Sequence, residues 1–220
     1  MAAPTLYLYD RWDERLGTLP VIGSLVHAEE LGGEDTLELD CLVAPQKGDR
    51  LVWRDPEDGS WREHEVVRTD EETAGLAHVY AESSLCELLR DFVEEEQLVA
   101  KTASQAMGAV LGHTRWSLGE VTCDDSTKRG ALLYHSNALA ALRRVEEVWC
   151  GELETSYEIS DNRISKRTVS LLKARGGWHG ARLAYGHNLV DCTRTVLEDE
   201  VLTALYGWGK GLPVEDDEGT

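Results

Sequence analysis

Apolar and polar residues alternate in short runs over the first eighty positions, interrupted by glycine, proline and acidic turn residues. Residues 5–11 put Leu6 and Leu8 on one face and Tyr7 and Tyr9 on the other, the period of two that marks a strand. Residues 21–27 and 36–43 predict two more strands, with Glu30, Gly32, Gly33 and Asp35 supplying the turn between them. Residues 51–53 pair with residues 61–68 across Pro56, Glu57, Asp58 and Gly59, a hairpin signal. Residues 78–80 add a last short strand. Short strands with closely spaced turns predict a small β-barrel or sandwich over residues 1–80.

The period changes after residue 80. Ser84 and Glu87 have the spacing of a capping box, and Leu85, Leu88, Leu89 and Phe92 follow helical spacing, so a helix is expected there, ending at Glu94, Glu95 and Glu96. Thr102 and Gln105 form a second box, opening a helix whose apolar face is Ala106, Met107, Val110 and Leu111, with Gly112 at C′. A third helix is expected from Ser136 through Leu139, Leu142, Val145 and Trp149, stopped by Gly151. Residues 116–121 read as a strand and residues 124–130 as a polar loop, giving a helix-rich α+β insertion over residues 81–151.

Strands return in a second β region, residues 152–211. Residues 153–159 meet residues 163–172 over Ser160, Asp161 and Asn162, residue types that tolerate the positive φ of a tight turn. Further strands are expected through Val169, Leu171, Leu183, Tyr185, Leu189, Val201, Leu205 and Tyr206, with Gly186 before Asn188 marking a bulge or tight corner. Residues 212–220 are acidic and lack periodicity, as in a linker or a frayed end. The fold class expected is α+β, mainly β: small β-barrel parts with an α+β insertion.

Net charge is −19, from 22 basic and 41 acidic residues, which opposes a grip on nucleic acid or on an anionic membrane. The longest uncharged apolar stretch, residues 16–28, is broken by Gly17, Pro20 and Gly23 and is too short to span a bilayer, so no membrane insertion is expected. Met1, Ala2, Ala3 and Pro4 lead straight into a strand with no signal-peptide pattern, and synthesis in the cytoplasm is expected. The five cysteines lie far apart without a CxxC pair, the usage of free thiols in a reducing compartment. Seven Trp and seven Tyr stand against one Phe, an aromatic set that favours half-buried positions and interfaces.

Several stretches carry a resemblance in a consistent order. They are Leu6-Tyr7-Leu8-Tyr9-Asp10-Arg11, the segment 27–37 around Glu30-Leu31-Gly32-Gly33, and the hairpin 48–55 from Gly48 to Asp55. After them come Gly112-His113-Thr114-Arg115-Trp116, Tyr185-Gly186-His187-Asn188, Thr193-Arg194, and residues 201–209 ending Gly-Trp-Gly. The chain resembles the phage minor structural proteins that form the N-terminal hub region of tail-associated lysins, also called prophage tail endopeptidases. The resemblance implies a baseplate-hub-like fold at the siphophage tail tip, trimerising on the tail axis around a channel. It implies a homotrimer as the working unit and the distal tail protein ring as a partner, with tape-measure and receptor-binding proteins as further candidates and DNA only as passing cargo. An acidic lumen would repel the DNA backbone and let it slide.

No GxSxG, HExxH, P-loop or GxGxxG motif occurs, so no catalytic, cofactor-binding or metal-ligating residue is assigned and no cofactor is expected. The histidines (His27, His64, His78, His113, His135, His179, His187) never fall at i, i+4 and read as structural, the exception being a cluster assembled in space. His187, Asp191 and Cys192 resemble a thiol nucleophile with its base, but neighbours on a strand face opposite ways. Glu120, Asp124 and Asp125 read as a solvated loop rather than a cation site. The expected function is a structural, non-enzymatic tail-tip protein. The alternatives are a tail-associated peptidase or cell-wall hydrolase, and a carbohydrate-binding module using Trp12, Trp61 and Trp178.

Overall fold

The alternation in the first eighty residues becomes a sheet that curls on itself. In a computed structural model, which describes residues 4–73, 75–177, 180 and 182–194, the strands are β1 (Leu6–Tyr9), β2 (Arg15–Leu19), β3 (Val21–Glu29), β4 (Asp35–Cys41), β5 (Arg50–Arg54), β6 (Trp61–Glu71) and β7 (Ala77–Ser83). Their order across the sheet is β2-β1-β5-β6-β7-β4-β3, and every neighbouring pair is antiparallel. β2, whose sequence Arg-Leu-Gly-Thr-Leu lacks a clear alternation, is an addition to the expected strands. The two edge strands β2 and β3 are consecutive in sequence, separated only by Pro20. One intervening residue holds their ends within roughly 7 Å, so the sheet has to curl until its margins meet at that corner. The result is a seven-stranded half-barrel.

Leu6, Leu8, Leu19, Leu37, Leu39, Leu51, Trp53, Val66 and Val79 fill its interior. The opposite face of β1 and β5 is also covered: Tyr9 and Val52 are buried with Ile164, and Tyr7, Trp61 and Ile159 pack around them. Both faces of the first strand are thus used as its alternation predicts. The hairpin between β5 and β6 and the turn before β4 are where Pro56–Gly59 and Gly32–Gly33 place them, with Gly59 and Gly32 at positive φ.

The second layer departs from the sequence reading at its start. Ser84–Leu89 is a short 3₁₀ turn, and the chain then enters β8 (Phe92–Lys101) rather than continuing as a helix. Ser83, not Ser84, caps the turn and makes no side-chain capping bond. Glu87 is held elsewhere by arginines, and although Leu85 and Leu88 are buried, Leu89 and Phe92 face outward, so only the first half of the expected apolar face finds a core. The glutamates expected to end a helix pair instead with β10 (Arg129–Asn137). That strand takes up the end of the expected loop and the expected start of the third helix.

The other two helices form as read. α1 (Ala103–Leu111) has the Thr102–Gln105 capping box, but Gly112 is its C-cap at φ −59° rather than a left-handed C′. α2 (Ala138–Trp149) is capped by Asn137, one residue later than expected, and ends with Cys150 in the left-handed region. β11 (Glu152–Ser160) and β12 (Arg163–Leu172) form the expected hairpin, with Asp161 and Asn162 at positive φ. β12 also pairs in parallel with β9 (Ser117–Val121). Met107, Val110, Leu142, Val145, Trp149, Val169 and Leu171 are the heart of this second core.

The chain divides into two compact units, Met1–Gly177 and Trp178–Thr220. In the second, Leu183 and Tyr185 do not join a sheet as expected: Tyr185 and Leu189 make a single isolated bridge. Gly186 is at φ +76°, and Asn188 accepts from the Ala184 N–H and donates to the Arg182 carbonyl, the tight corner that Gly-His-Asn predicts. The strand expected through Val201, Leu205 and Tyr206, and the acidic residues 212–220, lie outside the described residues.

The parallel pairing of β9 and β12 depends on a bare backbone at Gly119. A Cβ there would stand 2.3 Å from Ser170 Oγ and 2.7 Å from Thr168 Cγ2. Gly119→Ala is expected to destabilise the protein by about 1–3 kcal/mol through overpacking, read as a lower urea midpoint with an unchanged slope.

Candidate functional site

The residues weighed for chemistry from sequence are placed apart or in structural roles. Asp124 accepts bonds from Ser126 and Thr127, and Asp125 accepts the Ser104 N–H at the first turn of α1, so the two acids organise a loop. Those bonds hold the Asp124 carboxyl low, at about 2. The Cys192 N–H donates to Asp191, the His187 N–H donates to the Ala184 carbonyl, and no hydrogen bond among the described residues joins His187 to Cys192. Trp12 is 72% exposed, Trp61 packs against Tyr7, and Trp178 lies outside the described residues.

Three other features dominate the molecule. The first is a lattice of charge, buried except at Arg115, where the outer face of the half-barrel meets the second layer. Arg167 on β12 donates Nε to Glu63 (2.8 Å) and Nη1 to Asp13 (3.1 Å). Arg115, just before β9, shares Asp13 (3.0 Å) and donates Nε to Glu87 (2.8 Å). Arg50 on β5 reaches Glu87 at 3.0 Å and Glu65 at 3.2 Å, and Trp116 Nε1 also donates to Glu87. Three guanidinium groups are thereby interleaved with Asp13, Glu63, Glu65 and Glu87. Burial alone would push the Glu87 carboxyl up, but the Arg115 hydrogen bonds and the surrounding arginine charge outweigh it and hold it below the usual glutamate value. One signal for this lattice was present in the sequence: Arg167 sits in phase with the buried Val169 and Leu171, where an apolar residue belongs.

The second feature is a polar group at one mouth of the barrel interior. His27 on β3, Asp35 at the start of β4 and His64 on β6 all face inward, and both Nε2 atoms lie 2.9 Å from Asp35 Oδ1. Their ligand-capable atoms fall within 4.8 Å of one another. Trp53 stacks on His64 and presents an edge to His27, walling the group on its apolar side. Burial would raise the Asp35 carboxyl, but the bonds from His27 and His64 hold it far below its ordinary value. His64 is 0% exposed and its Nδ1 has no partner among the described residues. Two clefts flank the group. One of about 260 Å³ includes Asp35, Ser83 and Cys86 in its wall, and one of about 330 Å³ includes His27, Trp53 and Arg62. No spacing signal marks this group, because the two histidines lie 8 and 29 residues from Asp35 and meet it only through strand order.

The third feature is the ribbon of β8 and β10. Phe92, Val99, Leu132 and Tyr134 are each more than half exposed there, while Val93, Leu98 and Leu133 point into the core. A two-stranded ribbon with apolar residues on its outer face has the character of a contact surface.

Glu87→Leu would leave Arg50 and Arg115 without their shared carboxylate and Trp116 without an acceptor. A loss of about 3–5 kcal/mol is expected, measured by urea unfolding. The acid dependence follows from the lowered Glu87 value. Its contribution is complete above the unfolded value of 4.5 and is lost as pH falls through the lower folded value. Melting temperature is therefore expected to drop only below about pH 4.5, and Glu87→Gln is expected to flatten that drop.

No protein-family model matches the chain, and no curated protein matches its sequence. Solved structures do resemble it. Prophage tail protein gp18 from Listeria monocytogenes EGD-e aligns with a TM-score of 0.57 at 11% identity, covering 76% of this chain and 50% of that one. The 43 kDa tail protein of prophage MuSo2 from Shewanella oneidensis aligns at 0.49 with 10% identity, covering 75% and 52%. A tail protein from Neisseria meningitidis MC58 aligns at 0.49 with 8% identity, covering 77% and 50%. The chain spans about half the length of these proteins. Its fold, a curled seven-stranded half-barrel with a mixed second layer, is like that of a prophage tail protein.

Proposed function

We propose that this chain is a structural component of a bacteriophage or prophage tail tip: a baseplate-hub protein that forms a ring around the tail channel and links the tube to distal modules. The observation that carries the reading is the fold shared with gp18 over three quarters of the chain, 76%. In this reading three copies assemble on the tail axis around the channel. The exposed apolar face of β8 and β10 supports assembly, since Phe92, Val99, Leu132 and Tyr134 are expensive to leave in water. The net charge of −19 suits a channel wall that repels passing DNA. The distal tail protein ring is the proposed neighbour, with tape-measure and receptor-binding proteins beyond it. The role is assembly rather than catalysis, carried out in the virion tail tip after synthesis in the bacterial cytoplasm.

The test is the mass of the purified chain by light scattering. A mass three times the 24.5 kDa of the monomer is expected. The double substitution Leu132→Glu, Tyr134→Glu is expected to yield monomers with an unchanged circular dichroism spectrum. A wild-type monomer at high concentration would overturn the reading, as would release of soluble fragments from peptidoglycan.

A further inference from the structure

The polar group at the barrel mouth is a different matter from assembly. We infer that His27 Nε2, His64 Nε2 and an Asp35 carboxylate oxygen bind a divalent metal ion of the zinc class, leaving one position open toward solvent. The donor set is two imidazole nitrogens and one carboxylate oxygen, which suits zinc and cobalt rather than calcium or magnesium. The strands bring these donors together from three different elements: His64 pairs with Ser83 on β7, and Asp35 follows on β4 one step beyond the Thr36–Glu82 pair. His27 comes from β3 beside it.

The distances fit. Metal bonds of about 2.0–2.1 Å in a tetrahedral site set nitrogen and oxygen ligands about 3.3 Å apart. The two imidazole nitrogens stand 2.9 Å from one carboxylate oxygen and all three ligand atoms lie within 4.8 Å of one another, so side-chain adjustment alone brings them to that spacing. Access is available from the cleft beside Asp35 and from the cleft beside His27. Arg62, which lines the cleft beside His27, is held by Glu29, Asp55 and Asp58.

Two observations suit the group to an ion. First, both histidines direct Nε2 at the same carboxylate oxygen, so the three ligand-capable atoms lie within 4.8 Å of one another. Second, His64 is fully buried opposite Leu51 and stacked on Trp53, so packing holds its Nε2 toward Asp35.

The experiment uses the full chain, stripped with a chelator and titrated with Co²⁺ and then Zn²⁺. One equivalent of Co²⁺ is expected to give the visible absorption of a four-coordinate site. Zn²⁺ is expected to displace it and to raise the melting temperature. His27→Gln, a substitution at a partly exposed position, is expected to weaken Co²⁺ binding tenfold or more, as is Asp35→Asn. The exposed His135→Gln is expected to leave it unchanged. Absence of the cobalt band in the wild type would overturn the inference. So would His27→Gln protein with a wild-type circular dichroism spectrum that binds Co²⁺ as tightly as the parent.

Discussion

The seam between half-barrel and second layer depends on one arrangement, the alternation of Arg50, Arg115 and Arg167 with Asp13, Glu63, Glu65 and Glu87. Bringing this many charges out of water is unfavourable unless each finds partners of fixed geometry. Guanidinium groups supply that geometry because their planar forks engage carboxylates two bonds at a time, as Arg167 does with Glu63 and Arg115 with Glu87. Apolar surfaces would hold the layers together in many relative positions. Here a slip of one residue in β12 would turn Arg167 away from Glu63 and leave both charges buried and unpaired.

That constraint fixes the tip of the β11–β12 hairpin as well. Asp13 sits at positive φ in the turn between β1 and β2, where its backbone carbonyl accepts the Ile164 N–H and its side chain holds both Arg115 and Arg167. The Arg15 N–H donates to the Asn162 carbonyl alongside. Polar groups therefore set the register of two layers that also meet through the small apolar cluster of Tyr9, Val52 and Ile164.

The local signals in the sequence translated well wherever neighbours along the chain decide the structure. Leu6 and Leu8 against Tyr7 and Tyr9, the Thr102–Gln105 box, and the Asp161–Asn162 turn are all governed by residues a few positions apart. The failures share a different cause. Leu85, Leu88, Leu89 and Phe92 have helical spacing, but Glu87 is claimed by Arg50 and Arg115 from elsewhere, and β8 finds its partner in β10 some thirty residues on. The His27, Asp35 and His64 group was invisible for the same reason, since strand order and not spacing brings it together. Pairing at a distance overrides local preference, and a single sequence carries little record of it.

Pro20 has a consequence of its own. Because the same short link joins both outermost strands, the number of staves in this vessel is locked: no strand can be added or lost at that corner without breaking the chain's path. Proline has no N–H to offer a foreign strand, and the slip in pairing between Val21 and Leu25, with Gly23 at φ +96°, twists the adjoining rim out of flat alignment. The corner thus guards the molecule against zipping onto strangers where its two rims meet.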